Sequence, residues 1–212
     1  MSFGLRTDRD GDTFVITLER PESRNALTCE VMEGITAALR ESSESTAAVV
    51  LTGQGSVFCS GIDLRELAEP GGQERCLEAL VQLIQQMSST PAVVVCRING
   101  DAYGAGMALI GCSDISVAVE AAFFGFPEVK KGMVATIAAE TCAARLGAVA
   151  ASTYLLTGRR FTAAEAVKLG FITAVSAAAT LDDALSGYLG DLIAADRAAL
   201  RATKQLLREL AP

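Results

Sequence analysis

Ala92-Val93-Val94-Val95-Cys96-Arg97-Ile98, then Asn99-Gly100-Asp101, then Ala102-Tyr103-Gly104-Ala105-Gly106-Met107-Ala108-Leu109-Ile110, is the stretch that decides the fold. A β-branched run up to Ile98 reads as a strand covered on both faces, because such a strand is apolar without alternating. Asn99-Gly100-Asp101 turns the chain, and Gly104-Ala105-Gly106 opens a short buried helix. Strands alternating with crossover helices make a largely parallel, covered sheet, so the fold class is α/β.

On the N-terminal side, Asp12 to Glu19 alternates with Phe14, Ile16 and Leu18 on one face, and it ends at Arg20-Pro21-Glu22-Ser23. Thr28 to Arg40 carries Val31, Ile35, Ala38 and Leu39 at helical spacing, and Ala47 to Leu51 is a short buried strand closed by Thr52-Gly53-Gln54-Gly55. Asp63-Leu64-Arg65-Glu66 has the form of a capping box. Pro70-Gly71-Gly72 breaks that helix, and Leu77 to Met87 predicts another with Leu77, Leu80, Val81 and Ile84 as its apolar stripe. Beyond the central stretch come strands at Asp114 to Val119 and Ala122 to Phe126, and a helical region from about Val134 to Leu156. A second capping box follows at Thr162-Ala163-Ala164-Glu165, its helix stopping at Gly170; Phe171 to Val175 is a strand and Leu181 to Leu210 is helical.

Composition narrows the chemistry. The chain has 212 residues, 50% hydrophobic and 20% charged, with 18 basic against 25 acidic side chains and a net charge of -7. That balance excludes a disordered chain and argues against nucleic acid as a partner, since backbone phosphates are bound by clustered Lys and Arg. No apolar run reaches the roughly 18 residues that span a bilayer, so no membrane partner is expected. Histidine is absent, which removes Ser-His-Asp triads, Cys-His dyads and most catalytic zinc sites. Six cysteines without a CxxC pair read as small buried hydrophobes in a reducing compartment. With no hydrophobic leader in the first residues, a cytoplasmic location is expected.

The glycines of Gly104-Ala105-Gly106 suggest a nucleotide loop, but G-x-G-x-x-G needs glycine where Leu109 stands, and a P-loop needs a lysine that does not follow. Two uses remain open: close packing of a helix on a strand, or presentation of helix N-terminal N–H groups to a developing oxyanion. Cys59-Ser60-Gly61-Ile62-Asp63 is a second turn of the same kind, ahead of a capped helix.

Taken together, several segments resemble the crotonase, or enoyl-CoA hydratase/isomerase, superfamily. They are Leu18-Glu19-Arg20-Pro21, Arg24-Asn25-Ala26-Leu27, Val50-Leu51-Thr52-Gly53, Phe58-Cys59-Ser60-Gly61-Ile62-Asp63-Leu64, Ile98 to Gly106, Ser113-Asp114-Ile115, Phe126-Pro127-Glu128 and Leu156 to Ala166, in the family's order. The resemblance implies a spiral of ββα units over residues 1–175, followed by a shortened helical segment over 176–212. It implies that coenzyme A thioesters are bound and that the Ile62 and Ala105 main-chain N–H groups polarise the thioester carbonyl. By the same resemblance Arg24, Ala26, Ser60 and Gly61, with Asp63, Leu64, Tyr103 and Gly104 beside them, bind the coenzyme and acyl parts.

The catalytic carboxylates depart from the hydratase pattern. Of its two glutamates one corresponds to Glu128 and the other to Ala108. A single carboxylate resembles the family's isomerases, which move a proton between C2 and C4 of an enoyl thioester, and that is the leading expectation. Hydration, with Asp101, Tyr103 or Glu140 standing in for the missing acid, and decarboxylation are the alternatives; a non-catalytic thioester-binding scaffold is the rival of another class. The resemblance implies no metal and no cofactor beyond coenzyme A within the substrate, an acyl-CoA or acyl-carrier thioester. It also implies a homo-oligomer, trimer or hexamer.

Overall fold

A computed structural model of the chain describes residues 4–42 and 45–210. The first sheet begins with a hairpin, β1 (Leu5–Asp10) antiparallel to β2 (Thr13–Leu18) across Gly11. β1 was not expected from the sequence. It is an edge strand whose charged residues face solvent, so it carries no apolar alternation. From β2 onward the sheet is parallel, through β3 (Ala48–Gly53), β5 (Val93–Ile98), β7 (Ile115–Val119) and β10 (Ala174–Ser176), in the order β1-β2-β3-β5-β7-β10. The valine-rich β3 and β5 lie at its centre and are almost wholly buried, which accounts for their unbroken apolar character.

β3, β5 and β7 are each followed by a short strand in a second sheet. β4 (Val57–Cys59), β6 (Asp101–Tyr103) and β8 (Phe123–Gly125) pair in parallel, and β9 (Phe161–Thr162) closes the edge antiparallel to β8. One or more helices follow each pair. β3-β4 is followed by α2 (Leu64–Leu67) and α3 (Gly72–Ser89), β5-β6 by α4 (Ala105–Cys112), and β7-β8 by a 3₁₀ turn at Pro127–Lys131 and α5 (Thr136–Thr157). The ββα spiral is therefore present, and it stacks the ends of β4, β6 and β8 side by side. Beneath β8 and β9 an aromatic cluster of Phe124, Phe126, Tyr154, Phe161 and Phe171 fills the core, with ring centroids 4.3–6.5 Å apart. Truncating its central member, Phe161→Ala, removes contacts of a size that costs about 3–5 kcal/mol in a close-packed core.

Other elements correct the sequence reading. α1 (Cys29–Glu41) is capped by Thr28, whose Oγ1 accepts from the Val31 N–H. The buried stripe of α3, however, is Cys76, Ala79, Leu80, Leu83 and Met87, while Leu77 and Val81 are exposed. The helix begins at Gly72 rather than Leu77, so Cys76, read as a buried hydrophobe but left outside the expected helix, starts the stripe and turns it away from Leu77 and Val81. α5 is broken at Gly147, whose φ of 72° lies outside the helical region. The helix expected over Leu181 to Leu210 divides at Ala195–Asp196 into α7 (Leu181–Ala194) and α8 (Arg197–Leu210). The strand expected over Phe171 to Val175 forms only from Ala174. α6 (Ala163–Lys168) carries the full capping box, Thr162 and Glu165 bonding each other's main-chain N–H.

Candidate active site

The first loop of the site is built around residues that avoid ordinary backbone geometry. Arg24 and Asn25 both have positive φ, 57° and 52°, a conformation costing on the order of 1–3 kcal/mol per non-glycine residue. The buried Asn25 side chain offsets that cost. Its Oδ1 accepts from Arg20 N–H at 3.0 Å, and its Nδ2 donates to the carbonyls of Gln54 and Val57 at 3.0 and 2.7 Å. This pins the loop after β2 against the β3-β4 connection. Gly61 O then accepts from Leu27 N–H, and Asp63 N–H donates to Leu27 O, both at 2.8 Å. Between them the Ile62 N–H finds no acceptor among the described residues.

Asp63 locks that geometry from the other side. Its carboxylate accepts from the Arg65 N–H and side chain, which caps α2, and pairs with Arg20 at 3.2 Å. Arg20 also donates to Ala26 O at 2.6 Å. The capping box expected at Asp63–Glu66 is only half formed. Glu66 does not return to the Asp63 N–H; its Oε2 accepts from Cys29 N–H at 2.7 Å, so it caps α1 instead. The Arg65 hydrogen bond holds the Asp63 carboxyl below the usual carboxylate range. A depressed folded pKa stabilises the protein above the unfolded value of about 3.9, and that contribution disappears as pH falls through the folded pKa. Urea unfolding at a series of acidic pH values is therefore expected to show stability falling in this window, with a shallower fall in Asp63→Asn.

The second loop faces the first. Gly104 precedes α4 with φ 54° and ψ −118°, a conformation that side-chain-bearing residues rarely adopt. It has no capping side chain, and the Ala105 N–H beyond it has no acceptor among the described residues. A methyl group on Gly61 would lie 3.5 Å from the Ala105 nitrogen and 3.8 Å from Gly104 Cα, so the two loops are in contact. The two glycines around Ala105 do different things. Gly106 allows α4 to pack on β4, where a methyl group would meet Cys59 O at 2.6 Å, whereas Gly104 shapes the space before the helix.

Glu128, in the Pro127–Lys131 turn, brings a carboxyl to the same loops. A methyl group on Gly104 would lie 2.9 Å from its Oε1, so the carboxyl abuts the two-loop cradle. Its Oε2 is buried without a hydrogen-bond partner. Burial pushes the carboxyl above the usual carboxylate range, against smaller opposing effects of its own main chain and Lys131. Ala108, the counterpart of the second glutamate, is wholly buried in α4. Asp101 is committed elsewhere, accepting from Phe123 N–H and the Tyr103 hydroxyl at 2.9 Å each, and Glu140 is exposed.

Two cavities meet at these loops. One, of about 580 Å³, is lined by Gly61, Ile62, Gly104, Ala105 and Glu128, with Leu64, Leu67, Leu77, Leu80, Met133 and Ile137 as apolar walls. The other, of about 630 Å³, is lined by Arg24, Ala26, Ser60, Ile62, Asp63, Leu64 and Tyr103, and also by Arg65, Lys131 and Arg160. Ser60, Ile62, Leu64, Pro127 and Lys131 border both. All eleven residues selected from the sequence thus line one cavity or the other. Sequence reasoning missed Arg20 and Asn25 as the loop's supports, the cations Arg65, Lys131 and Arg160, and the wall from α3. Arg20 and Asn25 lay within the quoted segments, but nothing in spacing showed that their side chains would hold the backbone.

On the ββα spiral, then, an apolar cavity holding the Glu128 carboxyl and the Ile62 and Ala105 main-chain N–H groups adjoins a second cavity lined by Arg24, Arg65, Lys131 and Arg160 together with Glu22, Asp63 and Asp101. The enoyl-CoA hydratase/isomerase family model matches residues 9–211, and the chain belongs to that family. Enoyl-CoA hydratase AKT6-1 of Alternaria alternata is 34% identical over 175 residues, 82% of this chain and 58% of the relative. Probable enoyl-CoA hydratase echA6 of Mycobacterium bovis is 42% identical over 119 residues, 56% of this chain and 48% of the relative. The chain thus spans about half the length of these two curated relatives. The crystal structure of an enoyl-CoA hydratase of Mycobacterium smegmatis superposes with a TM-score of 0.94 at 31% identity, covering 97% of this chain and 82% of that one. The crotonase fold expected from the sequence is the fold of the protein.

Proposed function

We propose that the protein moves a double bond in an acyl-CoA thioester, with Glu128 as the single proton carrier. The observation that carries this reading is the half-buried Glu128, its Oε2 enclosed without a hydrogen-bond partner, beside two loops whose Ile62 and Ala105 N–H groups have no acceptor among the described residues. Removing a proton α to a thioester places negative charge on the carbonyl oxygen. The Ile62 and Ala105 N–H groups are the donors for that oxygen, and such preorganised donors are typically worth roughly 2.7–4 kcal/mol each. Glu128 takes the proton from C2 and returns it at C4, or the reverse. One carboxylate suffices, because it is regenerated by the second transfer. The apolar walls take the acyl chain, and Arg24, Arg65, Lys131 and Arg160 supply charge for the coenzyme's phosphates.

The names of the relatives favour a second reading, hydration of a 2-enoyl thioester. That reaction needs a second group to orient water, and Glu128 is the one acid among the described residues lining the apolar cavity. Spectrophotometry with trans-3-enoyl-CoA and, separately, trans-2-enoyl-CoA separates the readings. Appearance of the conjugated thioester from the first supports isomerisation, and loss of conjugation from the second with a 3-hydroxyacyl thioester as the isolated product supports hydration. Because Glu128 must be ionised to accept a proton, kcat/KM is expected to fall as pH drops through its raised pKa, giving an acid limb above the ordinary carboxylate value of about 4.3. A pH–rate profile without a limb in that region contradicts a buried carboxylate base.

A further inference from the structure

Glu66 caps α1 rather than its own helix, and it does so beside two cysteines. Cys29 Sγ and Cys76 Sγ are 3.2 Å apart, and Cys76 Sγ lies 3.7 Å from Glu66 Oε2. The two sulfurs and a carboxylate oxygen, from α1, α3 and α2, all lie within 4.8 Å of one another. Cys76 is buried, whereas Cys29 and Glu66 are half-buried, so the group is anchored inside and open on one side.

We infer that Cys29, Cys76 and Glu66 form a binding site for a thiophilic divalent cation of the Zn²⁺ type, separate from both cavities. Two thiolates and a carboxylate occupy three corners of a tetrahedron, and water takes the fourth from the open side. With metal–sulfur bonds of about 2.3 Å, the sulfurs need to separate by only roughly half an ångström to approach tetrahedral angles. The Cys29 N–H bond to Glu66 orients the carboxylate as an outer partner would. The cation also cancels most of the ligand charge. Binding releases one proton from each thiol to solvent, the ligands then carry three negative charges, and the cation cancels two. One net negative charge is left on the site, beside the exposed Arg75–Glu69 ion pair at 2.8 Å. A disulfide between the same cysteines would need an external oxidant and would give the converging carboxylate no part. A cation held here ties α2 and α3, which carry Leu64, Leu67, Leu77 and Leu80 of the apolar cavity wall, to α1.

Cobalt(II) added to the reduced, metal-free protein provides the test. An equimolar complex is expected, with a thiolate-to-cobalt charge-transfer band in the near ultraviolet and the visible bands of a tetrahedral ion, displaced by Zn²⁺. Cys29→Ser and Cys76→Ser should each abolish the charge-transfer band, and Cys112→Ser should leave it. Glu66→Gln retains an acceptor for the Cys29 N–H, so it should keep the fold by circular dichroism while weakening cobalt binding tenfold or more. Reduced wild-type protein that takes up no cobalt, a band that survives in both folded cysteine variants, or unchanged affinity in Glu66→Gln would each overturn the assignment.

Discussion

Glu128→Gln is expected to lower turnover by about 10²–10⁴-fold while leaving thioester binding nearly intact, as seen in kcat and in a direct binding titration. The amide keeps the size and shape of the side chain but cannot accept and return a proton. The same substitution is expected to raise stability near neutral pH. Glu128 is a carboxyl whose folded pKa lies above its unfolded value, because burial disfavours the charge. Such a group stabilises the fold fully below its unfolded pKa, and that contribution is lost as pH rises through the folded pKa. Glutamine never ionises, so the variant escapes the loss. Urea denaturation at pH 4 and pH 7, values chosen to lie roughly either side of an ordinary carboxylate pKa, should show the gain in Glu128→Gln growing with pH. A catalytic defect accompanied by lower stability at neutral pH would contradict the account of that buried charge.

Gly104→Ala should separate shape from stability. The backbone there lies in the glycine region, so any side chain costs on the order of 1–3 kcal/mol, and a methyl group would also press within 2.9 Å of Glu128 Oε1. To relieve both, the loop before α4 must turn, which shifts the Ala105 N–H, or Glu128 must move away from the reacting carbon. Either movement lowers kcat by about 10²-fold for misplacement of roughly 1 Å. KM should change less, because the apolar walls and the basic cavity do not involve Gly104's missing side chain. Kinetics on the folded variant decide this; an unchanged kcat would show that the Ala105 N–H is not the oxygen's partner.

The architecture was legible where burial is symmetric. β3 and β5 are read directly from their valine runs, and Thr28 and Thr162 mark helix starts that the structure reproduces. β1 was invisible because an exposed edge strand has no apolar pattern, and the α3 stripe was misplaced because the helix was started at Leu77, after Cys76. The site was legible mainly through resemblance. Composition pointed away from histidine chemistry, but it could not show that Glu128 is buried or that Gly61 and Gly104 face each other, since those facts depend on the stacking of β4, β6 and β8. Glu66 shows the limit from the other side: its spacing from Asp63 is that of a capping box, yet tertiary structure offered it the Cys29 N–H.

Proton transfer by a single carboxylate is tested most directly by nuclear magnetic resonance of trans-3-enoyl-CoA turned over in deuterium oxide. Wild-type protein is expected to form the 2-enoyl thioester, with deuterium entering at C4 from a carboxyl that exchanges with solvent, and Glu128→Gln to form none at a comparable rate. A 3-hydroxyacyl thioester as the product, or isomerisation that proceeds unchanged in Glu128→Gln, would contradict it.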